Sequence, residues 1–168
     1  MEKAKRQPKP HSERKRLPTF VVSRKVMTLA NLLKRAAGIR YRRLLGLPQG
    51  EWGVIAQLGA RAPRTLGDLA AGMGLDITQI SRSVSDLVER GLVTRSSNPL
   101  NNREVLIALS RKGEAANAVI VDAGSRVNET LLEGLSDSER AALEGLLIRF
   151  TERAEYLLAL EQATSGSE

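Results

Sequence analysis

Five polar residues fall within eight positions of one another: Thr78, Gln79, Ser81, Arg82 and Ser85. A glutamine amide can pair bidentately with adenine and an arginine guanidinium with guanine, each pair giving about 1–3 kcal/mol of discrimination between bases. The hydroxyls can reach base edges or phosphates. Threaded between them are Ile77, Ile80, Val84, Leu87 and Val88, at the three-and-four spacing of one helical face. The pattern predicts a helix over 76–90 that buries one side and offers the other. Its acids beyond the first residue, Asp86 and Glu89, sit toward the far end, so the positive end of the helix dipole is left to meet a polyanion.

The elements that must hold this helix follow from capping and periodicity. A long helix begins after Pro18 and runs to about Leu45, with Phe20, Val21, Val26, Leu29, Leu32, Leu33, Ala36 and Ala37 at helical spacing and Gly46 as its stop. A second covers Gln49–Leu58, with Trp52, Ile55 and Leu58 as its apolar side. Thr65 and Asp68 form a capping-box pair that opens a short helix ending at Gly72–Gly74. Asp76 caps the next, with Gln79 three residues on, a staple between Leu75 and Ile80, and Gly91 as C-terminal punctuation. From there the apolar period drops to two. Strands over Leu92–Arg95 and Glu104–Leu109 flank the turn-rich stretch 96–102. Ser110 caps a helix to about Glu133, and Ser136 with Glu139 starts a last one through Leu143, Leu146, Leu147, Phe150, Leu157 and Leu160.

Two short helices around a glycine turn, followed by a hairpin, make a winged helix-turn-helix: the second helix fits the major groove and the first buttresses it. The expected fold is all-α with a small β-wing, six helices with the hairpin between the fourth and fifth. Residues 1–17 read as a disordered basic tail, 18–46 as the N-terminal helix of a dimerisation region, 47–110 as the DNA-binding lobe, 111–161 as C-terminal dimerisation helices and 162–168 as a solvated tail. Three strongly apolar helices flank a lobe too small to bury them alone, which points to a homodimer.

Charge is sorted along the chain in the same sense. Lys and Arg number seven against two carboxylates in 1–16, thirteen against six in 17–110, and six against eleven in 111–168, within a total of +7. A basic middle suits nucleic acid and an acidic end suits another purpose. There is no cysteine and one histidine, His11 in the basic tail, so no disulfide, thiol switch, metal site, cofactor or catalytic constellation is expected. No Gly-rich phosphate loop is present, and the carboxylates take charge-pair spacing on helix surfaces, which speaks against an enzyme. No apolar run is long enough to span a bilayer and the charged N-terminus is unlike a signal peptide, so a cytoplasmic protein is expected.

Several segments together resemble the MarR family of winged helix-turn-helix transcription regulators. They are Leu47-Pro48-Gln49-Gly50-Glu51-Trp52-Gly53-Val54-Ile55, Leu66-Gly67-Asp68-Leu69-Ala70, Ile80-Ser81-Arg82-Ser83-Val84 running on to Gly91-Leu92-Val93, and Asn98-Pro99-Leu100-Asn101-Asn102-Arg103 followed by Leu109-Ser110-Arg111-Lys112-Gly113. The resemblance covers about residues 19–160. It implies that Arg82 contacts DNA from the recognition helix and that Arg103 enters or follows the minor groove from the wing tip. Arg95 and Asn101 complete the candidate DNA-binding set. The family usually has an acid where Asn101 stands, so the ion pair holding the wing arginine is replaced by a weaker acceptor. The resemblance further implies interleaved terminal helices in a twofold dimer and a pseudo-palindromic operator with half-sites about 34 Å apart. It also implies a repressor released by a small aromatic or phenolic ligand, for which Asn31 and Trp52 are the candidate lining residues.

Plainer readings stand beside these. Trp52 and Phe150 fit a core. Arg24, Lys25, Lys34 and Arg35 fit a solvated face, and the basic tail either adds phosphate contacts or merely solubilises. A dimeric winged-helix adaptor without DNA binding, or an architectural DNA-binding protein without a ligand response, are the alternatives. An adaptor has no need of Arg82, Arg103 and an acid-poor recognition face.

Overall fold

A computed structural model describes residues 19–99 and 101–165, leaving out the side chains of 19, 20, 102 and 103. The order of elements is α1 (Thr19–Leu45), α2 (Gln49–Ala60), α3 (Leu66–Met73), α4 (Ile77–Glu89), β1 (Val93–Asn98), β2 (Asn101–Leu109), α5 (Arg111–Leu131) and α6 (Asp137–Ser165). The expected six helices and wing are all present. The basic tail 1–17 lies outside the described residues.

Local chemistry explains most boundaries. The Thr65 hydroxyl accepts from the Asp68 amide and the Asp68 carboxylate accepts from the Thr65 amide, both at 3.1 Å, closing the capping box that starts α3. Ser110 Oγ accepts from the Gly113 amide at 3.0 Å and donates to the Gly91 carbonyl at 2.7 Å, so one hydroxyl opens α5 and pins it to the exit of α4. Glu139 accepts from the Ser136 amide at 2.9 Å at the start of α6. Gly91, at φ 68°, reverses the chain after α4 in a conformation that side chains disfavour.

Two strand boundaries differ from expectation. The ladder extends through Ser96↔Leu106 and Ser97↔Val105 to Asn98↔Asn101, with an irregularity between Ser97 and Asn98. Serines and asparagines that locally favour turns are held in strand by cross-strand pairing, so the wing is longer than the sequence suggests. The sheet also gains a third participant. The Arg64 amide donates to the Ile107 carbonyl at 3.0 Å and the Arg64 carbonyl accepts from the Ile107 amide at 2.8 Å, tying the α2–α3 connection to β2. At the C-terminus α6 continues to Ser165, past the expected boundary at 162, because Thr164 and Ser165 hydroxyls bond back to the carbonyls of Leu160 and Glu161.

The core lies inside the lobe. Val54, Ile55 and Leu58 of α2, Leu69 of α3, Ile80, Val84 and Leu87 of α4, and Ile107 of β2 are fully enclosed. Ile120 and Ala123 of α5 and Tyr41 of α1 close one end. Tyr41 donates its hydroxyl to the Ile120 carbonyl at 3.3 Å and packs its ring 4.9 Å from that of Trp52. Outside this core the helices are bare. No residue of α6 is buried, and Phe150, expected in a core, is 48% exposed. Val22, Val26, Leu29 and Leu33 of α1 are likewise exposed. No helix among the described residues is long and apolar enough to cross a membrane.

Candidate nucleic-acid interface

Helix α4 is the projecting element. Its buried side, Ile80, Val84 and Leu87, packs on α2 and α3, so the opposite side faces solvent. Ile77 and Val88 do not join the buried side: they are 52% and 37% exposed. At about 100° per residue they lie roughly 60–80° from the centre of the apolar stripe, where α3 and the strands no longer cover them. Arg82 and Gln79 are exposed, and neither side chain has a hydrogen bond or ion pair among the described residues. On this helix their side chains are left uncommitted.

The hydroxyls expected beside them are partly engaged. The Thr78 amide donates to Asp76 Oδ1 at 2.7 Å. Hydrogen bonds from Thr78, side chain first and then backbone, hold the Asp76 carboxyl below its ordinary range. Ser85 donates to the Ser81 carbonyl at 3.0 Å and accepts from Arg95 Nη2 at 2.9 Å. Arg95, on β1, is thus latched to α4. Ser81 is half-buried beneath this latch.

At the wing tip Asn101 is exposed and pairs in register with Asn98, whose Nδ2 donates to Glu104 Oε2 at 2.9 Å. Arg103 belongs to β2 by its backbone. Its side chain, and so its expected relation to Asn101, lies outside the described residues.

Behind α4 stands a polar hub that the sequence reading missed. Glu51 of α2 is 6% exposed, and its Oε2 accepts from Arg90 Nη1 at 2.6 Å. Arg90, at the C-terminal end of α4, also donates to the carbonyls of Gly46 and Leu45 at 3.3 and 3.4 Å. Its own carbonyl accepts from Lys112 Nζ at 2.9 Å. One arginine therefore joins the end of α1, the start of α2 and the end of α4. Burial pushes the Glu51 carboxyl up; Arg90 pulls it back and Asp86 adds to the rise. The separation of 39 residues between partners hid the pair from any local pattern.

The two candidate ligand residues are not brought together. Trp52 is half-buried and lines a cleft of about 380 Å³ with Lys34, Gln49, Gln57, Met73 and Leu75. Its indole Nε1 is buried without a hydrogen-bond partner. Asn31 is exposed on α1 and is not among the residues lining this cleft; Lys34, almost one turn on, takes the place expected for it.

Residues 45–104, spanning α2 to the wing, match the MarR family. That match takes in most of the winged-helix lobe. A proposed transcriptional regulatory protein for the hcr operon of Thauera aromatica is 31% identical over 104 residues, 62% of this chain. The match spans 63% of that relative's length. A MarR/EmrR family transcriptional regulator from Acinetobacter sp. ADP1 shares the fold at TM-score 0.71 and 23% identity, over 82% of this chain and 96% of its own. Streptococcus pneumoniae FabT, solved in complex with DNA, superposes at TM-score 0.69 and 17% identity, over 83% of this chain and 99% of its own. The mostly helical winged fold is thus that of MarR-family structures.

Proposed function

We propose that the chain is a homodimeric regulator that binds promoter DNA sequence-specifically through α4 and the wing. The observation that carries this reading is the outward side of α4. Arg82 and Gln79 stand free there, opposite a fully buried apolar side, on a helix whose first turn holds no acid. Support comes from the MarR-family lobe and from a structural neighbour solved on DNA. The Arg95–Ser85 latch presents the wing alongside the same groove. The cytoplasm is the compartment where such a regulator works.

The bare apolar faces of α1 and α6 support a dimer: a lone chain would leave them in water at a cost of about 25 cal/mol per Å². We read the protein as a repressor released by a small aromatic anion. The Trp52 cleft supports this, since Lys34 supplies charge and Trp52 a stacking surface. A ligand that favours a separation of recognition helices other than one DNA turn would shift the population away from the DNA-bound form.

Fluorescence anisotropy tests the reading on duplex from upstream of the protein's own gene and on a scrambled duplex. The wild type is expected to prefer the native duplex and to weaken steeply with salt, and Arg82→Ala to lose the preference. Equal, mutation-insensitive binding to both duplexes would favour an architectural or adaptor role instead.

A further inference from the structure

Alongside the apolar stripe of α1 lies a second, basic face. Arg35, Gly38, Ile39, Arg42 and Arg43 line a cleft of about 500 Å³ with Gln49 from the start of α2. At about 100° per residue Arg35 and Arg42 stand almost in line, and Val22, Val26, Leu29 and Leu33 lie roughly 160° round the helix from them, with exposed Ile39 and Leu32 nearer the arginines. A second copy of the chain seated on those four residues would leave both arginines open. No carboxylate lines the cleft, and α1 contains none along its 27 residues. None of the three guanidinium groups has a hydrogen bond or ion pair among the described residues. Cations in a last helical turn complement the helix dipole, which accounts for Arg42 and Arg43 alone; Arg35 lies two turns earlier.

The cleft adjoins the recognition helix. Gly50, next to Gln49, packs so tightly on α4 that a Cβ there would sit 2.6 Å from Ser83 Oγ. Ser83 is on the flank of α4 away from Ser81 and Ser85, hence away from the wing. Charge, and continuity with the interface proposed above, commit the cleft to one occupant.

We infer that Arg35, Arg42 and Arg43 hold DNA phosphates beside the half-site read by α4, on the side opposite the wing. The inference rests on the DNA-binding reading. Each recognition helix would then lie between two backbone anchors, Arg95 and the wing on one flank and the arginine cleft on the other. Phosphate contacts position a protein without carrying sequence information, and each releases counterions that steepen the salt dependence by about 0.9 in log K against log salt.

The test compares wild type with the full-length triple variant Arg35→Gln/Arg42→Gln/Arg43→Gln, by anisotropy over a salt series on the native upstream duplex and a scrambled one. All three side chains line an open cleft, and a circular dichroism melt matching wild type verifies the fold. The slope is expected to become shallower by about two to three on both duplexes, with their affinity ratio unchanged. An unchanged slope in a variant of a salt-sensitive wild type overturns this inference alone. A wild type that binds neither duplex overturns the DNA-binding reading and this one with it.

Discussion

Glu51 and Arg90 meet at 2.6 Å across the junction of three helices, the carboxylate buried and the guanidinium partly exposed. Breaking a buried pair leaves the remaining charge uncompensated, at about 3–5 kcal/mol when both partners are enclosed; with Arg90 half in solvent, about 2–3 kcal/mol is expected for Arg90→Met at pH 7. In that variant burial raises the Glu51 carboxyl without opposition from Arg90. A group whose folded pKa is raised favours the folded state at low pH and loses that contribution as pH rises through the folded value. The deficit should therefore shrink toward pH 4.5, the ordinary value for this carboxyl, where Glu51 takes up a proton. Urea melts at pH 7 and pH 4.5 check this, and a deficit of equal size at both would be inconsistent with an unpaired carboxylate.

Gly113 lies inside the first turn of α5, where alanine would ordinarily raise helix stability by about 1 kcal/mol. A Cβ at this position would overlap the Leu92 carbonyl oxygen, which also accepts the Ser110 amide at 3.0 Å. Gly113→Ala is expected to destabilise by about 1–3 kcal/mol. Thermal melts decide the sign; stabilisation would mean that α5 can move off the wing.

Ser85 uses its hydroxyl within the protein, on Ser81 and Arg95. Ser85→Ala is thus expected to weaken binding to native and scrambled duplexes alike, by freeing Arg95 and the wing, with their ratio retained. Arg82→Ala should reduce that ratio by about 1–3 kcal/mol, or some 5- to 150-fold. Loss of the ratio in Ser85→Ala would mean that its hydroxyl reads a base directly.

Trp52 is the only tryptophan and lines the candidate ligand cleft, so intrinsic fluorescence reports on that cleft. Benzoate-type carboxylates are expected to change its emission saturably, and Lys34→Met to weaken that response about tenfold, or 1.4 kcal/mol. Asn31→Ala should leave it unchanged. A wild-type response that Lys34→Met does not alter would remove Lys34 from the site.

Three caps share one pH signature. Hydrogen bonds from Thr65 (backbone first), Thr78 and Ser136 hold the carboxyls of Asp68, Asp76 and Glu139 below their ordinary ranges. A depressed folded pKa gives stability that is present above the unfolded value and lost as pH falls through the folded one. Starts of α3, α4 and α6 should accordingly loosen as pH drops below about 4, seen as a falling melting temperature that Asp76→Asn makes less steep.

What could be read from the chain beforehand was local. Thr65 with Asp68, Ser110, and Ser136 with Glu139 announce helix starts within four residues, and Ile80, Val84 and Leu87 announce a buried side by spacing alone. Arg82 was legible because it falls opposite that side. Features made by distant partners were not legible: Arg90 on Glu51, Arg64 on Ile107 and Arg95 on Ser85 are meetings that only the folded chain arranges. Ile77 misled because periodicity marks a stripe but not its covered width. The wing ran long because Ser96 and Ser97 answer to Leu106 and Val105 across the sheet, not to their own turn preference.

Helix α6 gives 29 residues to the fold without burying one of them in its own chain. On the dimer reading, such a segment is useless until a second copy arrives, and until then it is a target for chaperones and proteases. The cell would then dispose of unpaired chains faster than paired ones, and the supply of paired chains would rise with the square of synthesis at low abundance. A steeper-than-linear response of dimer level to synthesis would follow from packing alone, with no additional control circuit.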